Sequence, residues 1–301
     1  MAPGGALVTR IGVLGTGRMG LPIARNLKTA GFEVFAYDSE WAKEAPLRDA
    51  GIVTVPTADA LAAAVQVLLT VLPDGEAVHA ARVSILALHE GALWIDLSSG
   101  DPRLSEPDQR EARSRGIRTV SAPVSGGPAE AAAGDLGFFV SGRRSDVRDA
   151  LMVLRRLGPA AKTTIVGSRP GDAQIVKLLA NLLWFGQVIA ATEALLLGAR
   201  LGLDVAVLRD ALAASAGGSA FLDRHVDRLL AGDYLEDFPL DRCVDELRTI
   251  TELARDAGTP FELGVLVRRI NEEALDRFGP LLGELLAARL LEERAGVTLR
   301  A

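Results

Sequence analysis

Lys177 and Asn181 are the polar residues most suggestive of chemistry, because they interrupt a long apolar stretch four residues apart. Residues 170–197 read PGDAQIVKLLANLLWFGQVIAATEALLL, which predicts one long, buried helix. On such a helix the two side chains share one face, one turn apart. Burying a lysine costs free energy, so the pair is interpreted as a catalytic amine beside an orienting amide. The alternative is a Lys177 that extends to water near the helix start.

A glycine-rich segment near the N-terminus is typical of dinucleotide binding. Residues 10–15, RIGVLG, predict a strand, and a helical pattern after the glycines ends at Gly31. A strand, a glycine turn and a helix in this order provide backbone N–H groups and a helix N-terminus for a pyrophosphate. The predicted cofactor contacts along this loop are Gly15, Thr16, Gly17, Arg18, Met19 and Gly20.

Asp38 ends the second predicted strand, FEVFAY, 18 residues after Gly20. A carboxylate at this place is expected to accept a hydrogen bond from the adenosine ribose and to repel a 2′-phosphate. Ser39 supplies no arginine to offset that repulsion, so NAD is predicted in preference to NADP. The alternative role for Asp38 is to cap a helix in the segment from Glu40.

Apolar, β-rich runs alternate with helical patterns up to residue 167, which predicts a doubly wound parallel sheet. We expect a dinucleotide-binding domain over residues 1–168 and an all-helical domain for substrate binding and dimerisation over 169–301, joined by the long helix. In such sheets ligands bind beyond the carboxyl ends of the strands. The residues expected there are Leu72, Pro73, Ser99, Ser125, Gly126 and Gly127.

Two of these strand-end segments admit specific interpretations. The turn from Ser125 through Gly127 to Pro128 offers N–H groups and a hydroxyl to a substrate carboxylate, although Gly-Gly-Pro is also an ordinary turn. Ser99 is placed to reach the nicotinamide, whereas Asp96 is expected to brace the end of its strand.

Composition excludes several classes of function. A net charge of -6 does not favour binding to nucleic acid or to an anionic membrane. The single cysteine, Cys243, allows no disulfide within the chain, which fits a reducing cytoplasm. The three histidines are scattered, so no metal site is expected. The first ten residues do not resemble a signal peptide. Residues 178–198 contain Asn181, Gln187 and Glu193 and are interpreted as a core helix, not a membrane span.

Four motifs occur in order: GTGRMGLPIARNL from Gly15, DLSSGDP at 96–102, APVSGGPAEAAAGDL at 122–136 and GDAQIVKLLAN at 171–181. Together they resemble the β-hydroxyacid dehydrogenase family, which includes 3-hydroxyisobutyrate and tartronate semialdehyde dehydrogenases. The resemblance runs from Arg10 to about Gly296. It implies an NAD-dependent oxidoreductase acting on a small 3-hydroxy acid or its semialdehyde.

The resemblance also implies roles for individual residues. Ser125, Gly126, Gly127 and Ser99 would hold the substrate carboxylate and the nicotinamide. Lys177 would be the general acid/base, and Asn181 would position the substrate.

Several residues depart from the family pattern. Ala173 replaces a glycine, and Ala180 replaces the first residue of an Asn-Asn pair. Asp245-Glu246 stands where the family has Lys-Asp, so a cation near the substrate has become an anion. Arg242 or Arg248, one turn to either side on the same predicted helix, is a candidate to supply the lost charge.

Two other functions remain open at this point. An imine reductase-like enzyme that uses NADPH would share the architecture, but Lys177 and Asp38 argue against it. A non-catalytic protein that binds NAD or recognises a modified partner would keep the fold without turning over a substrate. Apolar helical faces such as residues 279–291, GPLLGELLAARLL, predict a homodimer or homotetramer.

Overall fold

A computed structural model describes residues 9–40, 44–235 and 237–300. These residues fall into two compact units that divide between Lys177 and Leu178. Residues 1–8 lie outside the described residues. They make up most of the segment compared with signal peptides above.

The first unit is built on one sheet. Its strands, within the described residues, are β1 (Arg10–Leu14), β2 (Glu33–Tyr37), β3 (Val53–Thr54), β4 (Val67–Thr70), β5 (Leu93–Asp96), β6 (Arg118–Ser121), β7 (Val124–Ser125), β8 (Gly137–Gly142) and β9 (Thr163–Gly167). The strand order is β3-β2-β1-β4-β5-β6-β8-β7, with β9 beside β8. All pairs from β1 to β6 are parallel, which confirms the predicted doubly wound sheet.

One strand departs from the parallel pattern. β8 runs antiparallel to β6 and β7 and parallel to β9. Between β6 and β8 the chain forms only β7 and the six-residue helix α7 (Pro128–Ala133), not the crossover helix that usually joins parallel neighbours. An alternation of apolar runs does not reveal that difference.

Helices cover both faces of the sheet. In chain order, the other helices of this unit are α1 (Gly20–Thr29), α2 (Glu44–Asp49), α3 (Ala58–Ala64), α4 (Gly75–Ala80), α5 (Arg82–Ile85), α6 (Pro102–Ser114) and α8 (Arg144–Leu154). Along β5, Leu93 and Ile95 enter one apolar core, whereas Trp94 enters the other. Because successive side chains point to opposite faces, a strand buried on both sides reads as a continuous apolar run.

The second unit is helical throughout its described part. It contains most of α9 (Asp172–Arg200), then α10 (Val205–Ala213), α11 (Ala220–Arg224), α12 (Val226–Leu230), α13 (Leu240–Asp256), α14 (Glu262–Phe278) and α15 (Leu286–Ala295). His225 separates α11 from α12, so the chain forms two short helices here and not one longer helix.

The long helix α9 is apolar and long enough to cross a membrane by composition alone. Within the second unit, however, Val188 and Leu195 pack into one apolar cluster, and Phe185 and Ile189 pack into another. α9 is therefore a core helix of this unit.

Candidate active site

The glycine loop between β1 and α1 is shaped by two close backbone approaches. Gly15 has φ +91°, and a Cβ on it would lie 2.4 Å from the carbonyl oxygen of Val71, which follows β4. A Cβ on Gly20 would lie 2.0 Å from the carbonyl oxygen of Gly15. α1 thus begins directly on the turn and aims its N-terminal N–H groups toward the loop. This cradle, where β1 and β4 are neighbours at the switch point of the sheet, fits a dinucleotide pyrophosphate.

Side chains of the loop differ in their surroundings. Arg18 is exposed, whereas Met19 packs against the apolar core of the sheet. Thr16 is buried and bonds to Asp38: its backbone N–H donates to Oδ2 at 2.7 Å and its hydroxyl donates to the same oxygen at 3.2 Å.

The Asp38 carboxylate therefore ties the end of β2 to the glycine loop. Its other oxygen accepts the Glu40 N–H at 3.0 Å. This contact is local to the loop. The helix cap considered as the alternative role of Asp38 concerns the segment from Glu40, where residues 41–43 lie outside the described residues and α2 begins at Glu44. The spacing of the motif predicted an acid here but not the bonds to Thr16.

Asp96, at the end of β5, is buried and accepts two hydrogen bonds at Oδ1. The Thr70 hydroxyl donates at 2.8 Å and the Ser98 N–H at 3.1 Å. Burial raises the pKa of Asp96 to about 6, although both hydrogen bonds act in the opposite direction. Asp96 braces the strand end, as expected.

The loops after β4 and β5 are fastened together. The Ser98 hydroxyl accepts the Leu72 N–H at 3.0 Å. A Cβ on Gly100 would lie 2.8 Å from the Cα of Gly75, so these loops also touch backbone to backbone. The predicted cofactor residues Leu72 and Ser99 are thereby placed on adjoining loops at one edge of the sheet.

The segment 125–127 links β7 to α7, with one difference from the sequence expectation. Ser125 and Gly126 are exposed, and Gly126 has φ +116°, a backbone conformation that favours glycine. The Gly127 N–H, however, donates to the Glu130 carboxylate at 2.8 Å. One of the donors that the sequence offered to a substrate is thus already bonded within the turn.

The first turn of α9 is held against the strand ends by residues that sequence reasoning missed. Gln174 is 1% exposed; its amide donates to the Ser98 carbonyl at 2.9 Å and accepts the Gly100 N–H at 3.0 Å. The Pro170 carbonyl accepts the hydroxyls of Ser121 at 2.7 Å and Ser141 at 3.3 Å. A polar residue inside an apolar stretch, the signal that identified Lys177, also marks Gln174.

Lys177 follows Gln174 by three residues on α9 and is half-buried. Residues three apart on a helix lie on the same face, so Lys177 and Gln174 project to the same side of α9. The first unit therefore brings together the glycine loop, Leu72, Ser99 and the helix turn that precedes Lys177.

In the second unit, Asn181 bonds to the residue beside the altered position. Its amide donates to Glu246 Oε2 at 2.5 Å. Asp245 is half-exposed, with Arg242 at 3.5 Å and Arg248 at 3.8 Å. Arg248 also pairs with Glu272 at 2.8 Å. Both candidate arginines thus lie beside the carboxylate that replaces the family lysine.

Sequence profiles of two families together cover most of the chain. The family described as the NAD binding domain of 6-phosphogluconate dehydrogenase matches residues 10–167. The family described as NAD-binding of NADP-dependent 3-hydroxyisobutyrate dehydrogenase matches residues 171–291.

Individual proteins agree with the profiles. L-threonate dehydrogenase of Cupriavidus necator is 31% identical over 264 residues, which span 86% of this chain and 88% of the relative. The structure of Mycobacterium tuberculosis 3-hydroxyisobutyrate dehydrogenase with L-serine is 27% identical, with a TM-score of 0.86 over 94% of this chain and 99% of that one. The structure of Psf3 with NADP+ and 2-OPP is 28% identical, with a TM-score of 0.80 over 93% of this chain and 99% of that one. These matches show that the chain belongs to the β-hydroxyacid dehydrogenase family.

Proposed function

We propose that the protein is an NAD-dependent dehydrogenase of a small 3-hydroxy acid or its semialdehyde. The observation that carries the proposal is the position of Lys177, one helix turn after the glutamine that binds the Ser98–Gly100 loop at the nucleotide edge of the sheet. Relatives named for hydroxy acids, L-threonate and 3-hydroxyisobutyrate, support the same reaction class.

NAD, when bound, supplies the hydride acceptor for oxidation of the alcohol carbon. The residues of the chain handle the proton and the substrate's orientation. Neutral Lys177 accepts the proton of the substrate hydroxyl, and in the reverse direction protonated Lys177 donates it to the carbonyl oxygen. Asn181, whose amide is oriented by Glu246, positions that oxygen. Ser125 and Gly126 bind the carboxylate.

The preference for NAD over NADP rests on Asp38. A carboxylate at the end of β2 repels a 2′-phosphate, and its bonds to Thr16 fix its position beside the glycine loop. In this scheme residues 1–168 are the nucleotide-binding domain, and residues 169–301 serve substrate binding and dimerisation.

Activity measurements test this function directly. Reduction of NAD and of NADP is followed with a panel of 3-hydroxy acids for wild type, Lys177→Ala and Lys162→Ala. Lys162 is a suitable control because it is exposed and pairs with Asp135 at 2.7 Å. Expected is a preference for NAD and a fall in kcat of roughly 100- to 10,000-fold in Lys177→Ala only.

Other outcomes point elsewhere. NAD binding without turnover of any acid refutes the dehydrogenase and supports the non-catalytic role. Reduction of imines with NADPH, without oxidation of hydroxy acids, supports the imine reductase.

The substrate pocket is proposed to differ from the 3-hydroxyisobutyrate type because of Asp245. Its carboxylate lies close to both Arg242 and Arg248. The charge that this group of three side chains presents to a substrate differs from the charge of a single lysine. Asp245→Lys is expected to shift the ranking of hydroxy acids by kcat/KM toward 3-hydroxyisobutyrate. An unchanged ranking would show that position 245 does not select the substrate.

We also propose a cytoplasmic homo-oligomer, a homodimer or homotetramer, chiefly through a surface other than the segment suggested by the sequence. In the segment 279–291, Leu285, Leu286 and Leu290 are buried in the cores of the second unit. The segment is thus only partly exposed: Leu281 and Leu282 are 52% and 41% exposed, whereas its other leucines pack against neighbouring helices of the same unit.

A second exposed apolar surface lies on α9. Leu179, Leu183 and Leu197 are 41%, 64% and 62% exposed, and their spacing places them on one side of the helix. Glu193 is exposed on that same side, which disfavours contact with lipid. A second copy of the chain is therefore the proposed partner.

A further inference from the structure

The Gln174 side chain joins the start of α9 to both flanks of Ser99. Its amide group donates to the carbonyl of Ser98 and accepts the N–H of Gly100, at 2.9 and 3.0 Å. Ser99 stands between these two peptide groups, so its position relative to α9 is fixed on both sides. All of these residues lie in the first unit.

The two hydrogen bonds from Gln174 to Ser98 and Gly100, called the bridge below, are held in rigid surroundings. Gln174 is 1% exposed, so its hydrogen bonds do not compete with water. The helix turn that carries it is itself held: the Ala173 N–H donates to the Ser141 hydroxyl at 3.2 Å, and the Pro170 carbonyl accepts that same hydroxyl and the hydroxyl of Ser121. On the other side, Ser98 is tied to Leu72 and to Asp96.

We infer that Gln174 is a positioning residue that sets the Ser98–Gly100 loop against the helix face of Lys177. The inference rests on the proposed function, in which Ser99 faces the nicotinamide and Lys177 exchanges the substrate proton. Hydride transfer and proton transfer occur on the same substrate. The distance between the Ser98–Gly100 loop and Lys177 must therefore stay constant. Because reaction rates fall steeply when reacting groups are misplaced by about 1 Å, a flexible link here would lower kcat.

Three variants test the bridge. Gln174→Met keeps the volume and removes both hydrogen bonds. Gln174→Glu keeps the acceptor for Gly100 and places a carboxylate oxygen against the Ser98 carbonyl. Gln187→Met is the control, because Gln187 is a half-buried glutamine of the same helix.

The first measurement does not depend on activity. Hydrogen–deuterium exchange of the Gly100 amide is expected to be at least about 10-fold faster in Gln174→Met, because a lost hydrogen bond exposes the amide. It should stay near the wild-type rate in Gln174→Glu and Gln187→Met. Unchanged exchange in Gln174→Met would overturn the inference, whatever the enzyme's activity.

The second measurement uses turnover of the wild-type substrate. We expect kcat to fall about 10- to 100-fold in Gln174→Met, with less than about 3-fold change in Gln187→Met. In Gln174→Glu, kcat relative to wild type should rise as the pH falls, because a protonated carboxyl group can again donate to Ser98. A residue that only supports folding would lower Tm without this pH signature.

Failure of the inference on Gln174 and failure of the proposed dehydrogenase function give different results. If wild type turns over a hydroxy acid and kcat of Gln174→Met equals that of Gln187→Met, Gln174 does not position the site. If wild type turns over no hydroxy acid, the proposed function fails and the exchange of Gly100 alone decides the inference.

Discussion

Asp96 has an unfavourable place for a carboxyl group, because it is buried and its pKa is raised to about 6 from 3.8. The unfolded chain releases this proton near pH 4, whereas the folded chain keeps it up to about pH 6. The contribution of Asp96 to stability is therefore present at low pH and is lost as the pH rises from about 4 to 6. The difference between the two pKa values corresponds to about 3 kcal/mol.

Asp96→Asn is accordingly expected to stabilise the protein above pH 7. The asparagine oxygen can still accept the bonds from Thr70 and Ser98, and the side chain no longer ionises. Denaturant unfolding at pH 8 should show a free energy of unfolding higher than wild type by up to about 3 kcal/mol. At pH 4 the two proteins should be nearly equal.

Asp149→Asn is a control of opposite sign. The hydrogen bond from Arg118 holds the pKa of Asp149 below its ordinary value. Its contribution to stability is present above about pH 4, so the asparagine should destabilise at pH 8 and not at low pH. Equal pH dependence of both variants would contradict the assignment for Asp96.

Residue types and spacing predict some parts of the site better than others. Lys177, Asp38 and the glycine loop stand out because a charge within an apolar run, or a set of glycines after a strand, is uncommon without a functional reason. Gln174 does not stand out as clearly, because its role depends on backbone groups of a loop some 75 residues earlier. The bond between Gly127 and Glu130 was missed for a similar reason, since a free N–H and a bonded one look alike in sequence.

At the scale of elements, the contact between β1 and α1 depends on the absence of a side chain at Gly20. A Cβ there would lie 2.0 Å from a backbone oxygen, so Gly20→Ala must move α1 away from the loop. We expect a loss of about 1–3 kcal/mol in stability and at least about 10-fold weaker binding of NAD, measured by denaturant unfolding and calorimetry.

Gly186→Ala provides the comparison. Its Cβ would meet Val267 at 3.6 Å, an ordinary contact, within a helix where alanine is favoured over glycine. This variant should be neutral or stabilised by up to about 1 kcal/mol. Similar losses in both variants would show that the close approach at Gly20 is not the cause.

The order of elements was predictable because strands buried on both faces read as apolar runs, and glycines mark the turns between them. The antiparallel direction of β8 and the break at His225 were not predicted. Both depend on how segments pack against neighbours distant in sequence, and a local periodicity does not contain that information.

At the scale of the whole molecule, the exposed apolar side of α9 predicts association of two or more chains. Leu183→Glu places a charge in the middle of that surface and is expected to shift the protein to monomer in light scattering at micromolar concentration. Val83→Glu is the control, since Val83 is an exposed apolar residue, 72% accessible, on α5. A wild type that is monomeric, or an assembly unaffected by Leu183→Glu, would refute this surface.

The bonds between Asp38 and Thr16 have a consequence for how cofactor choice can change in evolution or by engineering. Replacing the acid to admit a 2′-phosphate also releases the glycine loop, which weakens binding of either dinucleotide. A first substitution at position 38 alone is therefore expected to lower the affinity for NAD, and for NADP the loss of loop order is expected to offset part of what removing the repulsion gains. We therefore expect a lineage that moves toward NADP to combine the change at position 38 with a second change that restores a partner for Thr16.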